Sequence, residues 1–172
     1  MFELVGQLFY LIIILFILSL SREFGRFLIL LYLKVPGSKI KVNPLQFPHY
    51  LELYNGEEWV KSTEEDFLAA YYRYEPARRG GFALYSFPWV FESLVLFVSY
   101  IFIDIMVSAE LASYLIILSL VFTGLIFIYQ LIVFWKTEEF RGDFIILYIL
   151  SPAAGVASVA LYYVFRLILL IF

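Results

Sequence analysis

Ser21-Arg22-Glu23-Phe24-Gly25-Arg26 interrupts an otherwise apolar run. An unbroken apolar stretch from Leu8 to Leu18 precedes it, and Phe27 to Leu33 follows. A charged side chain at the centre of a membrane helix costs roughly 2.5–3.5 kcal/mol on insertion scales, and less near the interface. Three such groups in two helical turns therefore need partners. Arg22 and Arg26 are four residues apart and share one helix face, with Glu23 beside them.

Composition sets the solvent. Of 172 residues, 63% are hydrophobic and 21% aromatic, more apolar surface than a water-soluble domain of this size can bury. The chain reads as an integral membrane protein whose first partner is the lipid bilayer. Most of its Tyr, Phe and Trp residues suit lipid contact and interfacial belts. The chain has no cysteine, which removes disulfides and thiolate metal sites, and a single histidine, His49, which excludes a multi-histidine centre. His49 reads as a loop residue, and no metal or cofactor is expected. A net charge of −3 gives no sign of nucleic-acid binding. Met1-Phe2-Glu3-Leu4 lacks a basic leader region, so the first apolar segment reads as a retained span.

The pattern predicts an all-α membrane protein: four transmembrane helices with a small αβ cytosolic insert between spans one and two. Spanning takes about 20 residues. The expected spans lie near 2–33, 87–107, 111–135 and 144–172, giving a first-span unit at 1–33, an insert at 34–86 and a three-span unit at 87–172. Ser151-Pro152-Ala153-Ala154-Gly155 should kink the last span. Its small residues, Ser151, Ala154, Gly155 and Ser158, should admit another helix closely. Such a helix belongs to a larger complex or to a second copy of the chain.

Lysine and arginine fall in two segments. Lys34, Lys39, Lys41, Lys61, Arg73, Arg78 and Arg79 lie in the first, and Lys136 and Arg141 in the second. The positive-inside rule places residues 34–86 and 136–143 in the cytosol and both termini outside, in a multi-pass protein of the plasma membrane. Within the insert, Ser38 to Val42 alternates like a strand. His49 to Tyr54 and Glu57 to Lys61, around Asn55-Gly56, predict a hairpin with a type I′ turn. Ser62 or Thr63 should cap a helix over 64–75, with Glu64, Glu65 and Asp66 at its start and Pro76 at its end. Arg78 and Arg79 form a basic link back to the membrane, placed to meet anionic headgroups.

Depth along the spans predicts the pairing. Arg22, Glu23 and Arg26 fall toward the cytosolic end of span one, where Glu92 opens span two and Asp143 opens span four. An inner cluster of Arg22, Glu23, Arg26, Glu92 and Asp143 is expected. Asp104 and Arg166 both fall toward the outer face and are expected to pair, because an unpaired buried charge costs several kcal/mol. That outer pair also admits a reading in proton movement.

Leu20-Ser21-Arg22-Glu23-Phe24-Gly25-Arg26-Phe27-Leu28, followed by Leu33-Lys34-Val35-Pro36-Gly37-Ser38-Lys39-Ile40-Lys41-Val42, resembles the zinc-binding helix of the site-2 protease family and related membrane zincins. Those intramembrane metalloproteases carry H-E-x-G-H in a membrane helix, then a short basic stretch and β-structure. The resemblance implies that Glu23 matches the general base and Gly25 the glycine, and that Gly142-Asp143 takes the place of the later aspartate ligand. Arg22 and Arg26 stand where both zinc-binding histidines belong, and the family's N-x-x-P-x-x-x-x-D-G pattern is absent. Arginine stays protonated and has no lone pair for a metal. The resemblance thus implies a non-catalytic scaffold or interaction subunit, a pseudo-protease in which ion pairs replace the metal centre. Two other readings stay open: an active intramembrane metalloprotease with unusual ligands, Glu23, Asp143 and His49, and a small subunit of a respiratory or transport complex.

Overall fold

The computed structural model describes residues 2–45, 49–77, 79–138 and 142–171. Arg78 and Arg141 lie outside the described residues. Helix α1 (Phe2–Tyr32) leads through a single 3-10 turn into a sheet of β1 (Ile40–Val42), β2 (Leu51–Tyr54) and β3 (Trp59–Lys61). Helix α2 (Phe67–Tyr74) follows, then α3 (Gly81–Met106), α4 (Ala109–Thr137), α5 (Asp143–Leu150) and α6 (Pro152–Ile171). Three of these, α3, α4 and α6, are long and apolar enough to cross a membrane. Their outward residues, such as Val90, Phe102, Leu125, Tyr129 and Leu161, are exposed. A helix bundle with so apolar an exterior matches a lipid solvent and not water.

Gly25 sets the approach of α1 to α3. A β-carbon there would lie 2.8 Å from Phe91 Cβ and 3.2 Å from the Pro88 Cα, so any side chain would push the two helices apart. Further along, Leu18 of α1 packs with Leu96 and Ile103 of α3, Leu111, Leu115 and Ile116 of α4, and Leu169 of α6. The apolar positions of four helices thus close one core, the arrangement that 3.6-residue spacing favours.

The sheet is antiparallel in the order β1-β2-β3. Alternation turns Ile40, Leu51, Leu53 and Val60 inward, against Ile29 and Leu30 of α1, Phe67 and Tyr71 of α2, Leu84 and Tyr85 of α3, and Ile146 and Leu147 of α5. The insert is therefore continuous with the helical core. The β2–β3 hairpin differs from the type I′ expectation. The bond from the Asn55 amide to the Glu58 carbonyl (3.0 Å) closes the turn around Gly56 and Glu57, and only Gly56 there has positive φ (106°). A type I′ turn needs positive φ at both central residues. Asn55 instead accepts with Oδ1 from the Glu57 and Glu58 amides, both at 2.9 Å.

Helix α2 starts at Phe67, later than expected, because the expected cap residue is engaged elsewhere. Ser62 turns toward α1, and Glu64 accepts from the Lys61 amide at 3.0 Å. At the far end of α2, buried Tyr71 donates to the Arg79 carbonyl at 2.5 Å, and burial pushes its phenol up to about 12.

The stretch over 144–172, expected as one kinked span, is two helices. Ser151 leaves helical geometry, and Pro152 starts α6, where its missing N–H is no loss. Gly155 sits in this corner. A β-carbon would come within 2.9 Å of the Leu147 carbonyl and 2.8 Å of the Tyr148 nitrogen. The close approach that Gly155 permits is to the chain's own α5. Ser151, Ala154 and Ser158 are half-buried around the same corner.

Candidate functional site

Two ion triads lie side by side between the helices. In the first, Arg26 bridges two acids. Its Nη1 donates to both oxygens of Glu23 (2.6 and 2.7 Å), and its Nη2 donates to Asp143 Oδ1 at 2.5 Å. All three residues are buried. Helical spacing puts Glu23 and Arg26 on one face of α1. Gly142, with φ of 94°, turns the chain so that Asp143 opens α5 beside them. Glu23 also reaches the sheet, accepting at Oε2 from the Leu51 amide (3.0 Å) and the Ser62 hydroxyl (2.9 Å). Four bonds thus reach the Glu23 carboxylate, three of them at Oε2.

In the second triad one acid bridges two bases. Glu92 accepts from Arg22 Nε at 2.5 Å and from Arg166 Nη2 at 2.9 Å. The Tyr162 hydroxyl donates to Glu92 Oε1 at 2.8 Å, with Thr123 Oγ1 3.1 Å from the same hydroxyl. Arg166 also donates to Ser119 Oγ (3.1 Å) and Ser93 Oγ (3.4 Å). Each guanidinium has an aromatic face as well, Arg22 3.7 Å from the Trp89 ring and Arg166 3.5 Å from the Tyr162 ring. Trp89 stacks on Phe144 at 4.3 Å, next to Asp143 of the first triad. The two triads carry net charges of opposite sign. Arg22, Arg26 and Arg166 balance Glu23, Glu92 and Asp143.

The structure brings together Arg22, Glu23, Arg26, Glu92 and Asp143, and it adds Arg166. The expected outer pair does not form. Arg166 is fully buried against Glu92, while Asp104 is exposed and takes part in no ion pair among the described residues. The reason is register. Helix α3 begins at Gly81, ahead of the expected start, which sets Glu92 twelfth of its 26 residues and within reach of Arg166. Asp104 falls in the last turn, beyond that reach.

Sequence reasoning missed Ser62, Ser93, Ser119, Thr123 and Tyr162. Two of the missing signals were present: Ser119 with Thr123, and Tyr162 with Arg166, are four-residue spacings that mark one polar face on each of two apolar helices. His49, expected in a loop, is buried against α1. Its Nε2 is 3.2 Å from the Pro44 carbonyl, which can only accept, and its Nδ1 is 3.0 Å from the Ser19 hydroxyl.

Comparisons with protein families, with curated proteins and with solved structures find no match for this chain. The zinc centre that the sequence resemblance implies does not fit these residues. Both ligand positions hold guanidinium groups, and the two acids nearest them are bonded to Arg26. Both nitrogens of His49 are occupied, and no group of three metal-ligating side chains converges among the described residues.

Proposed function

We propose that this chain is a non-catalytic scaffold or interaction subunit of the plasma membrane, built on a framework resembling an inactivated site-2 protease. In this reading α1 crosses the bilayer with α3, α4 and α6, making four spans. Both termini lie outside and the sheet lies on the cytosolic side, as the lysine and arginine distribution favours. Its partners are other transmembrane helices, of a larger complex or of a second copy.

The bonding of Glu23 carries this reading. A general base needs a free lone pair facing a metal-bound water. Glu23 instead accepts from Arg26, Leu51 and Ser62, and it holds the sheet against α1. The residue that matches a catalytic carboxylate serves as a structural clasp. A transport role draws less support. Glu92 is bonded to Arg22, Arg166 and Tyr162, as a structural tie between helices.

Elemental analysis of detergent-purified protein tests the reading, with native chain and an Arg22→His/Arg26→His variant side by side. The native chain is expected to be free of stoichiometric zinc. The variant, which restores both imidazole positions, is expected to gain about one zinc per chain. Stoichiometric zinc in the native chain, with peptidase activity, would overturn the scaffold reading. A variant that folds and binds no zinc would remove the protease resemblance.

A further inference from the structure

The outward face of the sheet is chemically unlike the rest of the surface. Strand alternation places Lys39 and Lys41, Tyr50, Glu52 and Tyr54, and Trp59 and Lys61 on one side. Lys41, Glu52 and Lys61 are direct cross-strand neighbours. Each lysine rests against an aromatic ring: Lys39 Nζ is 4.5 Å from the Tyr54 centroid, Lys41 Nζ 3.7 Å from Trp59, and Lys61 Nζ 5.1 Å from Tyr50. Tyr54 and Trp59 pack together at 5.3 Å.

The carboxylates facing this surface are Glu52 and Glu64. Glu64 stands 3.9 Å from Lys61. Lys39 and Lys41 have no ion-pair partner among the described residues, and their ammonium groups rest against rings. A groove of about 410 Å³ opens beside them, lined by Ile40, Lys41, Val42, Asn43, Tyr50 and Glu52.

The opposite face shows where these lysines stand. It packs on α1 at Ile29 and Leu30, the Leu51 amide is bonded to Glu23, and His49 reaches Ser19 and Phe16. The sheet therefore packs one face on α1, α2, α3 and α5, and its lysine-aromatic side is the other face. Trp and Tyr with Lys beside an apolar helix is the chemistry of a membrane interface.

The geometry points to a binding surface for anionic phospholipid headgroups, with Lys39 and Lys41 supplying the charge and Tyr50, Tyr54 and Trp59 the interfacial seat. The occupant is a phosphodiester carried by the bilayer. This face shares no residue with the ion triads, so it stands whether or not the scaffold reading does.

The test uses the full chain in a neutral maltoside detergent. Thermal unfolding is followed during titration with short-chain phosphatidylglycerol, with short-chain phosphatidylcholine, and with glycerol 3-phosphate. A saturable shift with phosphatidylglycerol alone is expected, and it should weaken with salt. At about 1 kcal/mol per lysine near an anionic surface, Lys39→Gln/Lys41→Gln should weaken the apparent affinity about thirtyfold. The control pair Lys34→Gln/Lys136→Gln, exposed lysines off this face, should change it less than about twofold. Lys41→Gln alone, expected to lose about fivefold, serves if the double variant fails to fold.

Equal losses in the two pairs would overturn the proposal in favour of diffuse positive charge. An equal shift with phosphatidylcholine would overturn it, and so would one with glycerol 3-phosphate, which would make the site one for soluble anions. Displacement of phosphatidylglycerol by a short single-stranded oligonucleotide at comparable concentration would assign the face to nucleic acid instead.

Discussion

The two triads hold the same residue types in mirror arrangement, and they do different work. Around Glu92, one acid lies between two arginines, and every partner comes from a long helix: α1, α3, α4 or α6. Around Arg26, one base lies between two acids, and the spare acceptor capacity of Glu23 goes to the backbone and hydroxyl of the sheet. The acid-rich triad thus joins the helices to the sheet through Glu23, while the base-rich one joins helices to each other.

The contrast can be broken first at Glu92. Glu92→Gln leaves two arginines buried without their counter-charge, and arginine cannot shed its proton. A loss of about 3–5 kcal/mol is expected, seen as failure to accumulate or as a large drop in the unfolding midpoint in detergent. It should be no smaller at pH 5 than at pH 8.

Arg26→Met is the matched change in the other triad. It orphans Glu23 and Asp143, but orphaned carboxylates can take up protons, and Glu23 keeps Leu51 and Ser62. The expected loss is about 3 kcal/mol at neutral pH. It should shrink as pH falls and the orphaned Asp143 carboxyl, whose pKa burial already raises, becomes neutral. A pH-independent loss would show that the two triads do not differ in the way their charges imply.

Gly25→Ala tests the helix contact that holds both triads in register. The new methyl meets Phe91 and the Pro88 backbone, so overpacking should cost about 1–3 kcal/mol. Ser62→Ala removes one of the bonds to Glu23 and should cost about 1 kcal/mol, with faster proteolysis in the sheet than in the helices. Asp104→Asn should change stability by less than about 0.5 kcal/mol, since the residue is exposed and has no ion pair among the described residues.

The helical membrane character was legible because hydropathy and span length are local properties. So was the convergence of Arg22, Glu23, Arg26, Glu92 and Asp143, since charges in an apolar setting must find one another. The assignment of partners was not. It depended on where α3 begins, and the six residues from Gly81 to Ser86 read as a connection until their packing is seen. The broken last span shows the same limit. Pro152 announced a kink, but only the Gly155 contact with α5 decides that the chain makes two helices there. Ser62 was one of two cap candidates by local pattern, with Thr63, and a long-range bond to Glu23 engages it instead.

The sequence distances inside the triads have a consequence for how the protein is made. Arg22 waits 70 residues for Glu92, and Arg26 waits 117 for Asp143. Synthesis proceeds at roughly 5–20 residues per second, so the first helix stays unmatched for several seconds or longer after it emerges. Arg166, 74 residues after Glu92, joins its triad last. Assembly of the two triads is ordered by the chain positions of their charges.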